Sequence, residues 1–315
     1  MCDIKSPDLI ISTYSKKFIR GKKMDVLEED YDSKENTAFE IFISRDDIFN
    51  DMLSEFSRNV DISYLLDVTF IGEEASDMGG PRREFLTLAL QAIKERLIKD
   101  GYLVSEKDIG HEAYLTLLHK KAFEIAGIVV GLSLLEGGPV PYLLNDPRGV
   151  LLTPDTQEMK QFSIGLKRIG ILQLCQIKKD LMSLFDMNNG KTLLLTYPTL
   201  VKLLKVKFSE EGSNGYIQEK SMYRFFLDYM KEVAAHRRGS IQLSDILKFI
   251  TGIDQVPILG FTNTPTIEFT ASDTLLPTSS TCTCTLNLSR KCDVTKDIVF
   301  NMFDYAFANS YFGLV

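Results

Sequence analysis

Apolar and polar residues alternate through Phe39-Glu40-Ile41-Phe42-Ile43, the period of a half-buried strand. Ser44 and Asp47 then give a capping-box-like start to a helix running to about Phe56. Leu65 to Ile71 reads as a second strand, leading into the polar, glycine-containing stretch Gly72 to Pro81, a loop. From Arg82 onward Phe85, Leu86, Leu88, Leu90, Ile93 and Leu97 recur at helical spacing, with Pro81 in the first turn and Asp100-Gly101 as the stop. The same spacing predicts helices over Ala113–Leu135, Gln157–Phe185, Ser221–His236 and Leu243–Ile250. Beyond Gly252 the pattern shortens: Ile267-Glu268-Phe269 and Cys284 to Leu288 alternate as strands, before a last helix from about Thr295 to Asn309. No internal repeat is visible.

Charge changes how the ends of this pattern are read. Tyr14 to Asp32 is dense in ionic residues, with Lys16, Lys17, Arg20, Lys22 and Lys23 followed by an acidic run. Residues 1–37 are therefore expected to be a charged N-terminal tail or linker. Small and polar residues interrupt two apolar blocks between Phe208 and Tyr216, so residues 209–215 are expected to be a flexible connector. It would separate a mostly helical unit, 38–208, from a smaller mixed α/β unit, 216–315. The fold class expected is α+β.

With 315 residues, 44% hydrophobic and 25% charged, the chain is long enough to bury a real core and is not disordered overall. Its 36 basic against 43 acidic residues give a net charge of −7, which repels a phosphate backbone and argues against a nucleic-acid partner. The longest nearly apolar run, Gly127 to Leu135, falls far short of the roughly 20 residues that cross a bilayer, so no membrane partner is expected. Met1 to Asp8 lacks the layout of a secretory signal, and a cytosolic or nuclear location is expected. Five cysteines at irregular spacing, Cys2, Cys175, Cys282, Cys284 and Cys292, fit reduced thiols better than a disulfide framework.

Several chemistries fail on spacing. Gly190-Lys191-Thr192 would end a phosphate-binding loop, but Phe185 stands where its first glycine is required. His111, His119 and His236 lie in no two-histidine metal spacing. Cys282, Cys284 and Cys292 lack a nearby fourth ligand for tetrahedral zinc, so no metal or cofactor is expected. What remains is Leu276-Pro277-Thr278-Ser279-Ser280-Thr281-Cys282, followed by Leu286 and Leu288. A proline and hydroxyl-bearing residues put Cys282 in an accessible loop, while the alternating leucines anchor a strand. Two readings stay open on these residues: a tolerated loop cysteine beside a buried Cys284, or a nucleophilic thiol.

This segment resembles the active-site loop of HECT-type ubiquitin ligases: Leu-Pro, three variable residues, Thr-Cys, then two alternate leucines. Gly72-Glu73-Glu74, Asp77, Gly79-Gly80 and Arg83-Glu84-Phe85 resemble the start of that family's N lobe. Phe249-Ile250-Thr251-Gly252 with Pro257 and Gly260-Phe261 resembles its C-lobe signature, and Phe312-Gly313-Leu314-Val315 resembles its ending. Order and separation agree from about Phe39 to Val315.

The resemblance implies a bilobal fold, with 38–208 as N lobe, 209–215 as hinge and 216–315 as C lobe. It implies that Cys282 accepts ubiquitin as a thioester from a conjugating enzyme and passes it to a lysine of a protein substrate. Thr281 would orient the loop and donate near the developing oxyanion, and Phe312 would help position the loaded C lobe. Asp77, Arg83 and Glu84 are expected as fold markers in ion pairs, and Phe225-Phe226 as core packing. Two departures stand out: the chain is shorter around Asp186–Gly215, where the family places its donor-docking subdomain, and Ser289 replaces a proline. The alternative is therefore a catalytically weak or inactive HECT-like scaffold that binds ubiquitin or partner proteins. A cysteine hydrolase would require a histidine, His236 in the same unit, within reach of Cys282.

Overall fold

In the computed structural model the described residues are 6–21, 38–58, 61–73, 79–192, 195–272, 274–291 and 293–309. The chain divides into two compact units: residues 1–77, 81–194 and 256–260 in the first, and 78–80, 195–255 and 261–315 in the second.

The first unit is mainly helical. Its elements are α1 (Pro7–Phe18), β1 (Phe39–Ile43), α2 (Ile48–Ser57), β2 (Leu66–Phe70), α3 (Gly80–Leu97), β3 (Ile98–Lys99), β4 (Tyr102–Leu103), α4 (Glu106–Ile109) and α5 (His111–His119). They continue with α6 (Ala122–Leu135), α7 (Pro147–Leu152), α8 (Gln157–Arg168), α9 (Ile171–Ile177), a 3-10 turn (Lys179–Leu184) and α10 (Met187–Thr192). Strands β1 and β2 pair in parallel from Phe39 opposite Leu66 to Ile43 opposite Phe70. The alternation read in the sequence buries Phe39, Ile41 and Ile43 on one face. Asp47 caps α2 by accepting from the Asn50 N–H, and Ile48, Phe49, Met52, Leu53 and Phe56 form its buried stripe.

Helix α6 is the centre of this unit. Every residue in it except Glu124 is buried, as expected of a helix apolar on all sides. It crosses α8 where two glycines let the backbones meet. A Cβ on Gly127 would fall 2.2 Å from the Phe162 carbonyl oxygen, and one on Gly165 would fall 2.0 Å from that of Glu124.

Three expectations change here. Residues 7–18, read as part of a charged tail, are helix α1. Its Ile11 is fully buried, the Tyr14 hydroxyl donates to the Ile169 carbonyl at 2.9 Å, and the Ser15 hydroxyl donates to that of Leu135 at 2.6 Å. The lysines at its C-terminal end occupy the outer face of an otherwise anchored helix. The helix expected over 113–135 is two, broken where Lys121 takes a left-handed φ of 54°. The one expected over 157–185 ends its first segment at Gly170, whose φ of 76° only glycine adopts cheaply. Asp100-Gly101 does stop α3, as the positive-φ corner of the β3–β4 hairpin.

The second unit holds α11 (Tyr197–Leu203), β5 (Lys205–Val206), α12 (Asn214–Ala234), α13 (Leu243–Thr251), β6 (Thr266–Thr270), β7 (Thr278–Ser280), β8 (Thr285–Ser289) and α14 (Lys296–Ala308). Its sheet has the order β5-β6-β8-β7, with β7 antiparallel to β8 and the other pairs parallel. Phe226, Tyr229, Phe303 and Phe307 form an aromatic core between α12 and α14, with Tyr229 edge-on to Phe303 at 5.2 Å. Phe226 is the buried member of the Phe225-Phe226 pair.

Residues 209–215, expected as a connector, lie within the second unit. The Phe208 ring packs against Tyr216, Tyr223 and Phe269, and Ser213 caps α12 by accepting from the Tyr216 N–H. Ser209 donates twice to the Glu219 carboxylate, at 2.6 Å from both its N–H and its hydroxyl, and Arg290 Nε donates to it at 2.8 Å. The small polar residues there serve a helix start inside the second unit.

Candidate functional site

The sheet of the second unit presents the candidate thiol at a hairpin tip. Thr278, Ser279 and Ser280 of β7 pair with Asn287, Leu286 and Thr285 of β8. Leu286 and Leu288 are fully buried, so β8 is nailed to the core by the leucines that follow the cysteine in sequence. The segment Leu276 to Cys282, read as loop, thus contains a short edge strand: its hydroxyl-bearing residues satisfy their backbone on β8.

Residues Thr281 to Cys284 form the turn. Cys282 is half-buried at its tip, while Cys284 is fully buried. Cys284 has a φ of 53°, a left-handed conformation that costs a non-glycine residue roughly 1 kcal/mol. Within the turn, Cys284 N–H to the Thr281 carbonyl is 3.4 Å and the Thr283 hydroxyl lies 3.5 Å from the Ser280 carbonyl and 3.0 Å from the Thr285 hydroxyl. Two bonds come from outside. The Thr266 N–H donates to the Cys284 carbonyl at 2.9 Å, and the Asn263 side-chain amide donates to the Cys282 carbonyl at 3.0 Å.

Gly80 lies against the turn: a Cβ there would fall 2.9 Å from the Cys282 Sγ and 2.8 Å from the Thr281 hydroxyl. Among the described residues no histidine hydrogen-bonds Cys282; His236 lies at the end of α12, its N–H on the Val233 carbonyl at 2.9 Å. Thr281, half-buried, sits beside the thiol and accepts through its carbonyl from Cys284. Phe312, Asp77 and Cys292 lie outside the described residues. Cys175, buried in the first unit, has its thiol pushed up to about 12 by burial and is a packing residue.

Glu84 is buried and takes two bonds from Arg45, at 2.7 and 3.1 Å, while Arg45 also reaches Glu73 and lies 4.1 Å from the centre of the Phe70 ring. The carboxylate expected as a fold marker is thus paired structurally, with a partner the sequence reading did not single out. Asn263 was missed as well. A lone asparagine in a Thr- and Pro-rich stretch carries no signal, because its contact spans 19 residues and exists only once β6 and β8 are adjacent.

Residues 155–307 match the family model described as HECT-domain (ubiquitin-transferase). Over that span, just under half of the chain, the sequence is similar to a HECT-type domain. The match runs from just before α8 into α14, and takes in the cysteine turn and the stretch 249–261. The resemblance in residues 72–85 and at Phe312 lies outside it. The chain is 28% identical over 129 residues to the human (Homo sapiens) G2/M phase-specific E3 ubiquitin-protein ligase, and 27% identical to that of Macaca fascicularis. Each match takes in 40% of this chain and only 18% of the relative, so the chain spans a small part of the length of the curated relatives it matches.

Proposed function

We propose that the chain is a ubiquitin-protein ligase that accepts ubiquitin on Cys282 and transfers it to a lysine of a protein substrate. The observation that carries this is the placement of Cys282, within the family match, at a partly exposed hairpin tip held from outside by Asn263 and Thr266. The Cys282 thiolate attacks the carbonyl of the thioester on a conjugating enzyme; a new C–S bond forms and the donor's thiolate leaves. One thioester replaces another, so the step is nearly thermoneutral and depends on proximity and orientation. A lysine amine then attacks the same carbonyl, a C–N bond forms, and Cys282 leaves as thiolate. Thr281 orients the turn and supplies a donor near the oxyanion, and Phe312 helps place the loaded unit. No cofactor is required. The partners are ubiquitin, a conjugating enzyme and a protein substrate, and a reactive thiol suits the reducing cytosol or nucleus.

The two compact units act as the lobes of this reading, with the hinge outside 209–215. The test is incubation with activating enzyme, a panel of conjugating enzymes and ubiquitin. The expected product is a reductant-sensitive adduct that Cys282→Ala abolishes; no adduct with any donor overturns the proposal.

A second reading, a HECT-like scaffold with little activity, is favoured by one feature. Residues 195–215 fold into the second unit as α11, β5 and the start of α12, so the described part of 186–215 forms no separate small body. Tight ubiquitin binding without adduct formation would select it.

A further inference from the structure

We propose that Asn263 is a positioning residue for the Cys282 thiol, an inference that rests on the ligase reading of that site. The turn carrying the cysteine is tied both locally and from the neighbouring segment 263–266. Its backbone closure, Cys284 N–H to the Thr281 carbonyl, is 3.4 Å long, the Thr283 hydroxyl reaches that of Thr285 at 3.0 Å, and Cys284 occupies left-handed backbone. A non-glycine residue in left-handed backbone persists where its surroundings hold it there.

The Asn263 amide donates to the carbonyl of Cys282 itself at 3.0 Å, the single hydrogen bond that the described residues make to this residue. The Cys282 carbonyl and the Thr283 N–H share one rigid peptide plane, so fixing the first fixes the second. That clamp sets both the exit direction of the Cys282 side chain and the orientation of a backbone donor next to the sulfur.

Asn263 is itself placed by the sheet. Two residues on, the Pro265 carbonyl accepts from the Lys205 N–H at 2.8 Å, and three residues on, the Thr266 N–H holds the Cys284 carbonyl. The 263–266 segment therefore grips the turn at two points, one by backbone and one by side chain. The backbone grip is indifferent to residue identity; the side-chain grip needs a donor. An aspartate has the shape of asparagine but presents only acceptors, so it would oppose the Cys282 carbonyl.

The test compares Asn263→Ala, Asn263→Asp and Asn263→Gln in the full chain. Two measurements are made: single-turnover transfer of ubiquitin from a charged conjugating enzyme, and hydrogen exchange of the 281–284 amides. Asn263→Ala should lower the maximal transfer rate ~10-fold, with the half-saturating donor concentration unchanged, because a misaimed nucleophile loses orientation and not docking. Asn263→Asp should lower it at least as far, and Asn263→Gln, which keeps a donor, should recover part of the rate. Exchange across 281–284 should quicken in the Ala and Asp variants while β6 and β8 stay protected.

Full-rate transfer by Asn263→Asp, or a loss confined to half-saturation, overturns the proposal. If the unmodified protein transfers no ubiquitin, it is the ligase reading that fails. The clamp is then judged by exchange alone, and unchanged exchange in Asn263→Ala overturns it.

Discussion

Replacing Glu219 by glutamine tests whether residues 208–219 are a fixed part of the second unit. The carboxylate is 1% exposed and accepts three bonds: the Ser209 N–H on one oxygen, and the Ser209 hydroxyl with Arg290 Nε on the other. Burial pushes its pKa up, but the bonds from Ser209 and Arg290 outweigh this and hold it below the ordinary glutamate value. Glutamine keeps one oxygen. Turned to serve Arg290 and the Ser209 hydroxyl, it presents its NH2 to the Ser209 N–H, donor against donor. The loss is one charge-assisted bond plus a buried unmatched donor, softened because Arg290 can rehydrate, and amounts to about 2 kcal/mol.

Hydrogen exchange is the suitable assay, since a two-unit chain need not unfold in one step. A change of about 2 kcal/mol quickens exchange across 205–219 and around Arg290 ~30-fold. The sign with pH follows from the lowered pKa: the stabilisation is complete above the unfolded glutamate value near ~4.3 and is lost as pH falls through the folded value. The gap between Glu219→Gln and the unmodified protein should therefore be constant at neutral pH and close only in acid. A quickening of less than ~3-fold at pH 7 would refute the reasoning and restore 209–215 as a flexible connector.

Gly165→Ala should destabilise the first unit by about 2 kcal/mol or more, because the new Cβ meets the rigid Glu124 carbonyl, and denaturant unfolding should show it. Ile11→Ala should cost roughly 2–4 kcal/mol by the same measurement if α1 is a docked helix; a cost near zero would return it to the tail. Under native conditions a haloacetamide should label Cys282 and spare Cys175 and Cys284, read by peptide mass; labelling of Cys175 at the rate of Cys282 would contradict the burial that raises its thiol.

Periodicity made most of the elements legible. β1, α2, β2, α3, α13 and α14 lie within a few residues of their predicted bounds, since each carries an apolar stripe and a stop that local chemistry supplies. The breaks at Lys121 and Gly170 were not legible because apolar spacing continues on both sides, and tertiary packing chooses the corner. The same holds for α1: a charged surface hides the few side chains, Ile11, Tyr14 and Ser15, that dock it. Strand β7 went unseen because Thr and Ser beside a proline read as loop unless β8 is already there to pair with them. Of the candidate site, the cysteine and its leucine anchors were readable as a local motif. Asn263 and the Arg45 pairing with Glu84 were not, because long-range contacts leave no trace in spacing.

The most direct measurement is a pulse-chase with ubiquitin preloaded on a conjugating enzyme and chased into this protein, then onto added lysine. The account predicts a thiol-labile adduct mapping to Cys282, discharged by the lysine amine, absent in Cys282→Ala and converted in Cys282→Ser to an ester that thiols do not cleave but hydroxide does. An adduct of undiminished yield in Cys282→Ala, or none from any charged donor, would contradict it.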